Sequence, residues 1–395
     1  MAEVREADTV AFYVPMHTAT RLAAPAIARV KQLNPAARLC CYGLYAPINA
    51  EYLRGLGVQG IIGGEFEAEL VQFVEGQPHR TTALDRLAFR VPDRSHLPVL
   101  PRYPKLSVGN ETKLVGYTEA SRGCKHRCRH CPVVPVYNGQ FRVVPSDVVL
   151  GDVRQQVAAG AEHIGFGDPD FFNGPTHAQK ILESFHAEFP QVTYDVTIKV
   201  EHLLQQRAHL PLLKRTGCAF VISAVESVDD RVLAMLDKGH TRADFVSVVR
   251  LFEEHGLVLS PTFIPFTPWT SRESFCDLLA SIASLELVEH VAPVQLSLRL
   301  LITRGSRLLE LTDILNLVGE FNRASLAYPW VHRDREMDEL AAQVLAIVHE
   351  DTKASVSRGR TFTRIWELAH GRPAAVDYGL LSRATIPYLQ EPWFC

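Results

Sequence analysis

Cys124-Lys125-His126-Arg127-Cys128-Arg129-His130-Cys131 is the stretch on which the reading of this chain turns. Its three cysteines stand at C-x3-C-x2-C spacing, directly after Gly123. Three thiolates are one short of the four that the irons of a cubane cluster need, so a cluster held here keeps one iron open to an exchangeable ligand. Zinc would want a fourth His or Cys and ordinarily closes its site with a second ligand pair. No such pair lies outside this stretch. His126 and His130 offer the missing donors, although a zinc site packed into so short a segment, with no partner strand, is unusual.

Outward from this stretch the chain alternates strand and helix. Leu114–Thr118 reads as a strand whose C-terminal end leads into the cysteines, the end at which barrel active sites lie. Further strands are expected at His163–Gly167, Thr193–Glu201, Cys218–Ser227, Leu257–Pro268 and Val294–Leu301, with a helix over Asp147–Ala159. Lys199 and Glu201 fall on one face of the third strand, and a lumenal lysine there would pair with a carboxylate. Arg299 on the sixth is a candidate carboxylate clamp, against the plainer role of an exposed ion-pair arginine. The fold class expected is α/β, with a partial (β/α)6 barrel over residues 114–325 and a C-terminal extension, 326–395, containing a helix from Arg335 to His349.

Upstream, three further βα repeats occupy residues 1–78, with strands at Thr9–Val14, Ala37–Gly43 and Val58–Gly64. They predict a small doubly wound, Rossmann-like domain. Residues 79–113 hold the proline-rich His96–Pro104 stretch and are expected to run extended as a linker. Cys40-Cys41 points to opposite faces of one strand and is read as packing.

Bulk properties bound the rest. The 395 residues suffice for two or three cored domains, and 47% apolar with 22% charged residues is ordinary for a globular protein. A net charge of −3 gives no nucleic-acid footprint. No apolar run reaches the roughly 18 residues of a membrane span, and the first residues lack a signal-peptide core. Eight cysteines with three clustered argue for metal chemistry in a reducing compartment, so a cytoplasmic location is expected.

The cysteine spacing resembles the radical S-adenosylmethionine (SAM) superfamily. The resemblance implies a [4Fe–4S] cluster on Cys124, Cys128 and Cys131, with SAM chelating the open iron and donating a carbon radical when a C–S bond is cleaved. It puts His130 at the adenine, Gly165, Gly167 and Asp168 at the SAM amino group, and Glu226, in Ser223-Ala-Val-Glu-Ser227, at the ribose; Glu201 joins the cofactor-binding candidates and Lys199 the catalytic ones with Arg299. An electron donor such as flavodoxin or ferredoxin is implied as a partner. A Rossmann-like domain ahead of such a core resembles the cobalamin-binding subgroup, whose Asp-x-His-x-x-Gly ligand stretch reads here Pro15-Met16-His17-Thr18-Ala19-Thr20. With the Asp and Gly missing, His17 is read as a loop histidine on a degenerate domain, and a corrinoid is disfavoured.

Taken together, Cys124 to Phe141, Phe166-Gly-Asp-Pro-Asp-Phe171, Ser223–Ser227, Lys238-Gly-His-Thr241, Pro265-Phe-Thr-Pro-Trp269 and the terminal Trp393-Phe394-Cys395 resemble the CUAEP/CCAEP-tail radical SAM family, and radical SAM enzymes of arsinothricin biosynthesis are similar. That resemblance implies transfer of the 3-amino-3-carboxypropyl group of SAM to trivalent arsenic, with arsenite as small-molecule substrate and Cys395 as a soft ligand. Two alternatives stay open: hydrogen abstraction by a 5′-deoxyadenosyl radical or methylation of a small metabolite, and a non-catalytic iron–sulfur or arsenic sensor.

Overall fold

The computed structural model describes residues 2–380 and 387–389; Cys395 and the rest of the terminal tail lie outside them. Four N-terminal strands, β1 (Thr9–Tyr13), β2 (Arg38–Tyr42), β3 (Gly60–Gly64) and β4 (Thr82–Ala83), form a parallel sheet in that spatial order. β4 carries this sheet past residue 78. The helix His17–Leu33 buries Ala23, Ile27 and Val30 against it, the i, i+4, i+7 stripe of an amphipathic helix. Cys40 packs with Ile62 and Phe73 while Cys41 packs with Ala46 and Leu53, on opposite faces as the pleat requires. Burial pushes both thiols up to about 12, which leaves them as inert core groups.

The larger sheet follows an exposed connector. It comprises β5 (Lys105–Val108), β6 (Glu111–Thr118), β9 (His163–Phe166), β10 (Thr193–Thr197), β11 (Cys218–Glu226), β12 (Leu259–Phe263) and β13 (Tyr388–Leu389). A separate antiparallel pair, β7 (Ser121–Gly123) and β8 (Phe141–Val143), brackets the cysteine loop. The spatial order is β12-β11-β10-β9-β6-β5-β13, with β6, β9, β10, β11 and β12 parallel and β5 antiparallel to both its neighbours. The result is a curled α/β half-barrel. Ile164, Phe166, Tyr194, Val196, Val221 and Val225 face the helices and build the main core, which turns the alternate residues His163, Gly165, Asp195 and Thr197 to the inner face.

Two expected strands end differently. β10 stops at Thr197; Lys199 is the N-cap of the helix Val200–Gln205, and Glu201 sits in its first turn. The two charges therefore share a helix entrance rather than a strand face. The expected sixth strand is a 3-10 turn at Pro293–Leu296 followed by a single bridge, Phe266 to Arg299; Pro293 has no N–H for a ladder and favours the turn. The helices Arg335–Lys353 and Arg358–His370 place Leu340, Val344, Phe362 and Ile365 in the main core, so this region packs as part of the half-barrel.

Candidate active site

The cysteine loop opens from β7 at Gly123, whose φ of +74° suits glycine; a Cβ there would run into the Tyr137 ring and the Gln140 carbonyl. The loop is pinned from outside. Arg129 N–H donates to Leu236 O at 2.9 Å, its guanidinium donates to Ala234 O and Met235 O at 3.0 Å, and Arg307 donates to Arg127 O at 2.6 Å. Asn173 Oδ1 accepts from Lys125 N–H at 3.2 Å. Cys128 is buried, and Cys124 and Cys131 pack against Tyr45, Val133 and Tyr137. Burial pushes the Cys131 thiol up to about 12 and raises Cys124 as well.

β11 ends in a register shift between Ala224 and Glu226, and Glu226 takes a left-handed φ of +68°. Such strain in a non-glycine residue marks a site the surroundings over-determine. Its Oε1 lies 3.2 Å from His130 Nε2 and 3.2 Å from Lys238 Nζ. Burial by itself would raise the Glu226 carboxyl, yet the Lys238 ammonium and then His130 hold it down at about 2.

Asp168 does not reach into the open. Its Oδ2 accepts from Ala120 N–H at 2.9 Å and its Oδ1 from the Ser121 hydroxyl at 2.5 Å, so it braces the corner between β6 and the cysteine loop. Burial outweighs those bonds and lifts the carboxyl to about 7. Gly165 and Gly167 leave bare backbone beside it.

Lys199 and Glu201 join a buried polar group that the sequence did not announce. Lys199 Nζ lies 3.1 Å from both His126 Nδ1 and Glu201 Oε2. His126 Nε2 is 3.2 Å from His202 Nε2, and His202 Nδ1 is 2.7 Å from Asp170 Oδ2. With the ammonium donating to Nδ1, His126 keeps its proton on Nε2 and donates to His202 Nε2. Asp170, His202, Lys238 and His240 were the residues missed. Asp170, Lys238 and His240 stand within the quoted motif stretches without having been given a role, and His202 carries no sequence signal; His240 is brought in by the turn after Gly239 and is held to about 4 by burial and the adjacent lysines. Arg299 lies elsewhere: it pairs with Asp338 at 2.7 Å and stacks on Trp330 at 4.1 Å.

Between the two sheets lies an open cleft of about 280 Å³. The C-terminal ends of β1, β2 and β3 supply Tyr13, Met16, Gly43 and Gly64, and the half-barrel supplies Tyr117, Gly123 and Gly167. Gly43 and Gly64 have φ of +109° and +73° and keep the strand ends bare. His17 is turned away, its Nε2 2.6 Å from Ser325 O. Arg122 clasps the two sheets, 3.0 Å from Glu119, 2.5 Å from Glu67 and 3.5 Å from Glu65, and the Tyr137 hydroxyl donates to Glu65 at 3.1 Å.

Residues 118–282 match the radical SAM superfamily. The chain carries a radical SAM domain. Among curated relatives, a tRNA-2-methylthio-N(6)-dimethylallyladenosine synthase of Sorangium cellulosum is 26% identical over 218 residues, 48% of this chain and 42% of the relative. A bacteriochlorophyllide d C-12(1)-methyltransferase of Chlorobaculum tepidum is 27% identical over 160 residues, 40% of this chain and 34% of the relative. The chain thus spans less than half the length of these relatives. Among solved structures, the cobalamin-dependent SAM radical enzyme OxsB with aqua-cobalamin bound aligns over 93% of this chain and 63% of its own, with a TM-score of 0.64 at 12% identity. The radical SAM methyltransferase TsrM of Kitasatospora setae, with cobalamin and a [4Fe–4S] cluster bound, aligns over 71% and 60% with a TM-score of 0.53 at 15% identity.

The expectation that disfavoured a corrinoid is overturned. The fold of a cobalamin-bound enzyme extends over nearly the whole chain, the N-terminal sheet included. The missing Asp and Gly around His17 spoke only for one axial ligand, whereas the cleft is shaped by strand ends and bare glycines far apart in sequence. A broad cleft with a glycine-bared floor and aromatic sides fits a flat corrin ring. Among the described residues no helix is long and apolar enough to cross a membrane.

Proposed function

We propose that this chain is a radical SAM enzyme that carries a [4Fe–4S] cluster on Cys124, Cys128 and Cys131, holds a corrinoid in the cleft between its sheets, and methylates a small molecule. The observation that carries the reading is that the cleft and the cysteine loop adjoin: Gly123, Val133 and Tyr137 of the loop region line the cleft itself. The cluster, when bound, supplies the electron for C–S cleavage of SAM, and a corrinoid supplies methyl-carrying capacity.

The chain's own groups prepare the site. Glu226 offers a carboxylate that stays ionised throughout the ordinary pH range, suited to the vicinal hydroxyls of a ribose, while Lys238 and His130 fix its orientation. The backbone at Gly167, just past the end of β9, offers a carbonyl to an ammonium, and Gly165 keeps the strand bare beneath it. Asp168 positions the loop through Ala120 and Ser121, a role that replaces direct pairing with SAM. The Lys199 ammonium, buried beside His126, suits a carboxylate of SAM or substrate. Flavodoxin or ferredoxin is a suitable class of electron donor.

Aminocarboxypropyl transfer to arsenic rests on the tail at Cys395, which lies outside the described residues, and no feature of the cleft favours it. One experiment separates the readings. The reconstituted protein is given hydroxocobalamin, methyl-deuterated SAM, reductant and, in one arm, arsenite, and its nucleosides are analysed by mass spectrometry. Retained cobalamin with S-adenosylhomocysteine supports methylation. 5′-Methylthioadenosine with an arsenic–carbon product restores the arsenic reading, and a protein that retains no cobalamin overturns the corrinoid assignment.

A further inference from the structure

Tyr117 stands where the two proposed cofactor sites meet. It lies opposite Gly165 in the β6–β9 register, and its side chain lines the interdomain cleft. Gly167, just beyond β9, donates its N–H to Thr118 O at 2.8 Å. That bond draws the Gly167 Cα against the Tyr117 phenol so closely that a Cβ at 167 would overlap the ring's hydroxyl end. On its other side the ring has room: Tyr117 is 53% exposed. Across the cleft stands Tyr13, also half-exposed and backed by Tyr42 at 5.2 Å and Phe66 at 6.2 Å between ring centroids. An aromatic wall thus stands on each sheet, and the wall on the half-barrel is seated on the strand end assigned above to SAM.

We infer that Tyr117 is the barrel-side wall of the corrinoid site, a positioning residue that sets the width of the cleft and is itself seated by the bare Cα of Gly167. The inference rests on the corrinoid reading of the cleft. The glycine at 167 then has a second task besides exposing its carbonyl. Any side chain there displaces the phenol, and the cleft is one of two open directions for the displaced ring, the other being the pocket beside Phe89, Arg94 and Asp152. Because β9 is fixed to β6 through Thr118, the strand cannot retreat to make room.

The test is a cobalamin titration, without SAM, of the full chain after cluster reconstitution, read by the visible absorbance of corrinoid retained through gel filtration. Gly167→Ala is expected to weaken retention about tenfold, the effect of one overpacked contact, with the iron–sulfur absorbance unchanged. Combining it with Tyr117→Ala is expected to bring retention back to that of Tyr117→Ala alone, because no phenol is left to displace. Gly167→Ala binding as wild type, or the double variant binding more weakly than Tyr117→Ala alone, overturns the inference. A wild-type chain that retains no cobalamin refutes the corrinoid reading instead. Should Gly167→Ala fail to fold, Tyr117→Ala carries the test: looser retention with shifted corrinoid bands is expected, and unchanged retention and bands overturn it.

Discussion

Lys238 Nζ lies 3.2 Å from Glu226 Oε1, and both side chains are buried. The pair joins the left-handed end of β11 to the turn after the helix Asp230–Leu236. Removing one partner strands a charge in a medium that solvates it poorly. Lys238→Met should therefore destabilise the protein by about 3 kcal/mol, and adding Glu226→Gln to it should recover part of that loss. Anaerobic urea unfolding of the two single variants and the double variant measures this; strictly additive losses would show that the contact carries no coupling.

The same pair sets an acid limit. Glu226 is held at about 2 in the fold against an ordinary 4.5. The unfolded chain therefore binds more protons between those values. Its contribution to stability is present above about pH 4.5 and disappears as pH falls toward 2. The acid unfolding of Glu226→Gln should lack this component, which unfolding curves from pH 5 to pH 2 would detect.

Asp168 has the opposite sign. Its carboxyl stands at about 7 in the fold against 3.8, so the native state binds more protons between those values and stability falls as pH rises across that interval. Asp168→Asn keeps an acceptor for Ala120 N–H and gains a donor toward Ser121. It should flatten the pH dependence of stability between about pH 4 and 7 without loosening the loop; an unchanged slope in thermal melts would count against this.

Arg122 is the electrostatic clasp between the sheets, and Glu65 beneath it is buried. Arg122→Met should leave Glu65 without its cation and loosen the N-terminal sheet. Faster cleavage in the exposed connector between β4 and β5 under limited proteolysis would report the loosening; an unchanged digestion pattern would show that apolar packing alone holds the sheets together.

Much of this was legible in sequence because the periodicities are local. Stretches such as Thr9–Val14, Asp147–Ala159 and Cys218–Ser227 announce their elements through alternation or helical spacing, and the three cysteines announce themselves by separation along the chain. The polar group around Lys199 was not legible. It is built by the end of β10, the segment after β9 that carries Asp170, the turn after Gly239 and the cysteine loop, four segments whose meeting is tertiary. Arg299 misled for a related reason: a single bridge in place of a strand turns it toward Asp338 and Trp330. The cleft escaped notice because glycines at strand ends look like ordinary turn residues until the second sheet is set across from them.

His17 supplies the last test. Its Nε2 is 2.6 Å from Ser325 O and its ring lies edge-on to Tyr45. A protonated Nε2 that donates to a carbonyl has no lone pair there for a metal. Burial also lowers the ring's affinity for a second proton, leaving the neutral tautomer that makes this bond. The cob(II)alamin-loaded protein should therefore show an electron paramagnetic resonance spectrum without nitrogen splitting from a histidine, and His17→Ala should leave that spectrum unchanged while costing about 1 kcal/mol of stability through the lost hydrogen bond. A nitrogen triplet that vanishes in His17→Ala would mean that the loop rotates the ring onto cobalt when the cleft is filled.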